Sequence, residues 1–404
     1  MKQTTHQEEI KTNNLSKVFR TIQRKGPIER KQIQAYTDLS WGAVSQYTAA
    51  LLQADILTQN LNASGNVGKT PLTLDINQKD NFIVGVDLNF EAIRVMVLDL
   101  KGCILKSRVA VVIDPSNVID LLIHTLESTI SEYIGVKNIL AISISTQGNI
   151  DEEKGVALYL TFVPTWRNLH IKQAVEDHFH IKTFMFHDPD CVLIAEKYFG
   201  ALNESFRNVI LLNMNYALGM SMMIDSKIYS SSNGRCGEIG HITVVPGGEH
   251  CSCGRRGCLE AYATKAGIIS RFMQAINNGQ QTTVDIEDTF NLNYQTIRDY
   301  AIRGDSLCLG LFENAGRLLG QTCGLLATIF DSDAIFLYGD LANDKILYQS
   351  ILEETFQQNL YPGVSTSLIY SNLSASAPAL GAAFFALDKI LNDFLIQKTE
   401  LIEQ

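Results

Sequence analysis

Four residues within an 18-position stretch carry metal-binding chemistry: His241, Cys251, Cys253 and Cys258. Three thiolates and one imidazole suit a closed tetrahedral zinc site. Four protein ligands leave no position for an activated water, so the ion's expected role is structural. Glycines at 254 and 257 let the chain turn back so that the three sulfurs converge. His250 is a rival fourth ligand, although Glu249-His250-Cys251 leaves little chain to wrap round one ion. Zinc there would fix the loop that carries Glu238, His241 and Glu260. A metal-bound imidazole keeps a second nitrogen for hydrogen bonding. Two carboxylates and that N–H suit the hydroxyl groups of a sugar, while each glutamate taken alone is more often a surface residue or a helix cap.

A second chemistry lies near the amino terminus. Leu15, Val18, Phe19 and Ile22 have helical spacing, and Gly26-Pro27 ends a helix expected over residues 14–25. A short helix is expected over Glu29 to Tyr36. After the turn Thr37-Asp38-Leu39, Ser40 caps a third helix running to about Gln53. Ile56-Leu57-Thr58 and Leu72-Thr73-Leu74 read as strands flanking a polar loop that carries Lys69. This order is that of a winged helix-turn-helix that binds double-stranded DNA. Ser40, Trp41, Gly42, Ala43, Ser45 and Gln46 face outward on the third helix to read bases, while Lys69, with Arg30 and Lys31, meets phosphates.

These groups need scaffolds, and the chain is long enough for several. It has 404 residues, 46% of them hydrophobic and 19% charged, with a net charge of −10, which describes an ordinary globular protein of two or three domains. The charge is unevenly spread. Residues 1–80 hold ten Lys+Arg against seven Asp+Glu, a net +3, and the remainder holds 23 against 36, a net −13. Acidity over the body excludes a protein that coats nucleic acid with its whole surface. No window approaches a transmembrane length and the polar amino terminus lacks a signal-peptide core, so a cytoplasmic, non-membrane protein is expected. Clustered cysteines in that compartment mean metal or catalysis rather than disulfides.

From residue 82 the pattern becomes strand, strand, strand, helix, strand, and it restarts at Val209. Two α/β lobes with a cleft between them are expected. The expected boundaries are 1–80 for the winged helix-turn-helix, 81–200 for the first lobe, and 201–404 for the second lobe with its zinc loop.

At Glu238-Ile239-Gly240-His241 and Cys251-Ser-Cys-Gly-Arg-Arg-Gly-Cys258-Leu-Glu260 the chain resembles the ROK family of repressors and sugar kinases, from about residue 14 to 390. The resemblance implies a two-lobed, actin-like (ribonuclease H-like) α/β fold, preceded in the repressors by a winged helix-turn-helix. It places Glu238, His241 and Glu260 at sugar-contacting positions, and Asp188, in His187-Asp188-Pro189-Asp190, at the position of the kinase base. Ser145-Thr146-Gln147-Gly148-Asn149 is similar to the family's cleft loop with both usual prolines replaced, and Phe162 stands where kinases often have Asn. The kinase phosphate loop Asp-x-Gly-Gly-Thr becomes Asp87-Leu88-Asn89-Phe90-Glu91. Gly-Thr-Gly-x-Gly becomes Asn215-Tyr216-Ala217-Leu218-Gly219, and a Gly-Gly pair becomes Gly339-Asp340.

Small residues in such loops let backbone N–H groups approach phosphates, so their loss implies a sensor without catalysis. The expected function is a sugar-responsive regulator, a repressor released from operator DNA by a sugar, acting as a homodimer or homotetramer. An ATP-dependent sugar kinase using Asp188 as base is the alternative. A DNA-binding protein that senses no small molecule is a third reading.

Overall fold

The computed structural model describes residues 6–61, 72–135, 137–161, 163–230, 236–285 and 292–400. Lys69 and Phe162 lie outside the described residues. Helix α1 (His6–Lys25) starts earlier than the expected residue 14 and ends at a cis Gly26-Pro27 bond. Its stripe Leu15, Val18, Phe19 and Ile22 is wholly buried, each side chain contributing roughly 1.5–3 kcal/mol through burial. Strand β1 (Ile28–Glu29) leads into α2 (Arg30–Thr37) through a capping box between Glu29 and Gln32. Asp38 takes the left-handed conformation, with φ of 55°, and turns the chain into α3 (Trp41–Gln53). There the Ser40 hydroxyl accepts the Ala43 N–H at 3.2 Å. Strands β2 (Leu57–Leu61) and β3 (Leu72–Ile76) pair antiparallel and β1 adds to the far side of β3, giving the order β1-β3-β2. Three helices and this small sheet form the expected winged helix-turn-helix.

Two five-stranded sheets follow. The first is built from β4 (Asn81–Leu88), β5 (Ala92–Asp99), β6 (Ile104–Val111), β7 (Asn138–Thr146) and β11 (Thr183–His187), in the order β11-β7-β4-β5-β6. Helix α4 (Val118–Ile130) packs on β5 and β6. Between β7 and β11 the chain makes an antiparallel meander, β8 (Asn149–Asp151), β9 (Val156–Leu160) and β10 (Val163–Leu169), centred on the fully buried Trp166, and then α5 (Ile171–Phe179). The second large sheet, after α6 (Asp188–Phe199), comprises β12 (Val209–Met214), β13 (Leu218–Ile224), β14 (Lys227–Ile228), β15 (Ala334–Tyr338) and β16 (Ser367–Tyr370). Its order is β14-β13-β12-β15-β16. Counted along the chain, both sheets run third, second, first, fourth, fifth: one topology used twice. β15 carries an unbroken buried apolar run and β12 one interrupted only by the buried Asn213, as strands covered on both faces must.

The chain divides into two compact units. One comprises Met1–Ser145, Ile171–Met185 and Ala382–Gln404, and the other Thr146–His170 and Phe186–Gly381. Both are discontinuous, unlike the contiguous spans 81–200 and 201–404 expected from the sequence. Periodicity along the chain reports elements, whereas unit membership follows contacts between distant segments.

In the first unit the winged helix is held by specific contacts. The Lys101 ammonium, at the β5–β6 turn, bonds both Asp75 carboxylate oxygens at 2.8 Å and the Gly26 carbonyl at 2.9 Å. Gln23, 4% exposed, donates to the Leu100 carbonyl. Arg20 pairs with Asp388 of the last helix, Ala377–Glu400.

Candidate functional site: a carboxylate-lined cavity beside a metal-ligand cluster

The donor atoms of His241, Cys251, Cys253 and Cys258 all lie within 4.8 Å of one another and could hold a metal ion. The short turn Ile239–His241 presents the imidazole, and the bridge Thr243↔Cys258 closes the loop that returns the thiols to it. Gly257, with φ of 76°, makes this return possible: a Cβ there would stand 1.8 Å from the Val245 carbonyl oxygen. Cys253 Sγ lies 3.7 Å from Cys258 Sγ, and Cys251 Sγ lies 3.5 Å from His241 Nδ1. A tetrahedral ion with Zn–S near 2.3 Å and Zn–N near 2.1 Å requires edges of about 3.8 and about 3.6 Å. The donor set therefore fits zinc in its chemistry, and these two edges match the ion's size. His250 does not join it; its ring pairs with the Arg256 guanidinium.

The same loop forms one wall of a cavity of about 810 Å³, within the range of small-molecule sites. Asp188, Glu238, His241 and Glu260 all line it, as do Gln147, Gly148 and Asn149 of the β7–β8 connection. Every lining residue belongs to the second compact unit. With Nδ1 facing the thiols, His241 turns Nε2 towards Glu238, 4.0 Å away. Glu260 lies 3.9 Å from Nδ1 and accepts the Ser252 hydroxyl at 2.9 Å. The Gln147 and Asn149 side-chain oxygens are buried without a hydrogen-bond partner.

Asp188 opens α6 directly after β11, so the sheet edge delivers it to the cavity. Burial pushes the neighbouring His187 imidazole down to about 4, and His187 is therefore neutral at physiological pH. In the same first turn of α6, Asp190 accepts the Ser221 hydroxyl, and burial pushes its carboxyl up to about 7.

Two of the loops that differ from kinase phosphate loops are closed by their own hydrogen bonds, one through a side chain and one through the backbone. In the β4–β5 turn, Asn89 Oδ1 accepts the N–H groups of Glu91 and Ala92 at 3.0 and 2.9 Å, and its amide donates to Asp87 at 3.0 Å. Asp87 is 4% exposed and pairs with its cross-strand neighbour Arg94 at 3.0 Å. Burial raises its carboxyl to about 6 although Arg94 pulls the other way. In the β12–β13 turn, the Asn215 N–H is spent on the Ala217 carbonyl at 3.1 Å. Asn213 and Asn215, both on the cavity wall, bond side chain to side chain here. Asn213 was missed by sequence reasoning, since a polar residue inside an apolar strand was its only signal.

On α3, Ser40, Trp41, Gly42 and Gln46 are exposed, with Trp41 at 53%, while Ala43 and Ser45 are half-buried. Lys31 is exposed. Arg30 donates its Nε–H to the Thr48 hydroxyl at 2.8 Å, which ties α2 to α3.

Known proteins give the setting. The chain is similar to the N-acetylglucosamine repressor of Shigella flexneri, 28% identical over 396 residues that cover 96% of this chain and 95% of that protein. It is also similar to the xylose repressor of Bacillus subtilis, 24% identical, with 95% and 97% covered. Among solved structures, a ROK family transcriptional regulator, a homologue of the Escherichia coli Mlc protein, superposes with a TM-score of 0.80 at 21% identity, covering 96% of this chain and 99% of that one. A ROK family glucokinase from Streptomyces griseus, in complex with glucose and AMPPNP, gives 0.64 at 22% identity over 75% of this chain and 98% of its own. The likeness to the regulator thus spans the winged helix as well as the body. Since the ROK family model itself matches residues 83–389, three quarters of the sequence, this chain belongs to the ROK family.

Proposed function

We propose that the protein is a sugar-responsive, DNA-binding transcriptional repressor. It leaves operator DNA when a sugar or sugar derivative fills the cavity around Asp188, Glu238, His241 and Glu260. The observation that carries this reading is the union in one chain of a winged helix-turn-helix with a carboxylate-rich cavity, while the two turns that replace kinase phosphate loops are closed internally at Asn89 and Asn215. The names of the repressors to which the chain is similar support it.

In this reading Ser40, Trp41, Gly42, Ala43, Ser45 and Gln46 enter the major groove, and Lys69 follows the phosphate backbone. Two copies meet the half-sites of a cytoplasmic operator as a homodimer or within a homotetramer. Zinc on His241, Cys251, Cys253 and Cys258 supplies a structural staple that keeps Glu238 and Glu260 in place. The sugar's hydroxyls bond the carboxylates and the outer nitrogen of His241. Release follows only if the sugar prefers one conformation of the protein over the other, because equal affinity shifts nothing.

Asp188 in the cavity favours a second reading, an ATP-dependent sugar kinase. Such an enzyme needs backbone donors for phosphate, and these loops spend theirs internally. Fluorescence anisotropy with a DNA fragment from the protein's own locus tests the proposal. Nanomolar binding that weakens on adding N-acetylglucosamine, xylose or glucose is expected. A sugar-insensitive complex would remove induction, and phosphorylated sugar formed from ATP but not by Asp188→Asn would establish the kinase.

A further inference from the structure

We propose that Asn213 and Asn215 form an amide relay that positions the Asp188 carboxylate for the effector. This rests on the reading of Asp188 as an effector contact. The relay is continuous and has one direction. The Asp340 backbone N–H donates to Asn215 Oδ1 at 2.9 Å, Asn215 Nδ2 donates to Asn213 Oδ1 at 2.7 Å, and Asn213 Nδ2 donates to Asp188 Oδ2 at 2.7 Å. A backbone N–H can only donate and an ionised carboxylate can only accept, so both ends dictate how each amide is turned. Flipping either amide would set oxygen against oxygen and N–H against N–H. Every dipole in the chain points its positive end at the carboxylate, and such aligned bonds strengthen one another.

The fold is built around this path. Asn213 is 4% exposed in a central strand whose other side chains are apolar. Burying an amide there is costly unless its polar atoms are paired, and the relay pairs them. Asn215 reaches Asp340 only because residue 339 is glycine. A Cβ at Gly339, where φ is 113°, would stand 2.8 Å from Asn215 Oδ1 and 2.5 Å from the Met214 carbonyl oxygen. Asp188, by contrast, is the first residue of α6, where no preceding helical turn confines its side chain. Bonding one carboxylate oxygen to a buried strand sets the plane in which the group meets a sugar hydroxyl. Asn213 and Asn215 are therefore positioning residues.

The test is calorimetric titration of the full-length protein with glucose, N-acetylglucosamine and xylose. The variants are Asp188→Asn, Asn213→Ala, Asn215→Ala and the double variant of positions 188 and 213. The sugar that binds the wild type should bind Asn213→Ala and Asn215→Ala about tenfold more weakly. In the Asp188→Asn background, Asn213→Ala should cost less than about twofold, because the relay acts through that carboxylate. An equal loss in both backgrounds would show a merely structural role and overturn the relay. Sugar-free binding to the DNA fragment and an unchanged melting midpoint serve as the fold control. If Asn213→Ala fails it, Asn215→Ala, at the turn, carries the test, and wild-type affinity there overturns the relay. Undiminished binding by Asp188→Asn, or no binding of any of the three sugars to the wild type, overturns the reading of Asp188 and the relay with it. Loss with Asp188→Asn but not with the asparagine variants overturns the relay alone.

Discussion

Cys253 and Asp190 show how differently two residues of one unit reveal themselves. Cys253 stands 3.7 Å from Cys258, and Cys253→Ala leaves three donors. Zinc measured by mass spectrometry should fall from one per chain towards zero, with a lower melting midpoint; full metal content would refute this ligand set. Asp190 makes its effect through pH. Its carboxyl is raised to about 7 in the folded chain from 3.8, so its contribution to stability is fully present below 3.8 and is lost as pH rises through about 7. Asp190→Asn should flatten the pH dependence of the melting midpoint between those values and raise the midpoint at pH 8. An unchanged profile would show that the carboxyl ionises freely. The cysteines were legible in the sequence because metal chemistry restricts spacing along the chain. Asp190 and Asn213 were not, because their partners, Ser221 and Asp188, lie 31 and 25 positions away and meet them only where α6 packs against β12 and β13.

Helix α3 was largely legible as an element. Its cap at Ser40, its turn at Asp38 and its buried residues Val44 and Leu51 follow from local rules that operate within a few positions. Leu52, the next residue along, is half-buried. Gln46 is exposed and Ser45 half-buried on the outward face. Gln46→Ala or Ser45→Ala should weaken operator binding by about 1–3 kcal/mol with an unaltered melting midpoint. Equal affinity in both variants would move base reading to another face. Arg30 shows what charge counting leaves out: its Nε–H also bonds Thr48 inside the motif.

For the whole molecule, one sheet topology used twice was anticipated by the restart of the strand pattern at Val209, but the discontinuous units were not. The last helix buries Ala386, Leu387, Leu391 and Leu395 and brings Asp388 to Arg20, 368 positions away. Asp388→Ala should cost about 1 kcal/mol or less and accelerate amide exchange in α1, although α1 lies at the other end of the sequence. Unchanged exchange would show that apolar packing alone holds the helix. The sequence by itself determined the His/Cys cluster that could hold a metal, the helix-turn-helix and the alternation of strands and helices, because caps, turns, periodicity and the spacing of cysteines are short-range constraints. Only the tertiary structure decided which distant groups share the cavity, how the asparagines hold Asp188, and that residues 382–404 belong with the amino-terminal segment. Those outcomes depend on register and packing between remote segments, which leave no periodic trace in the chain.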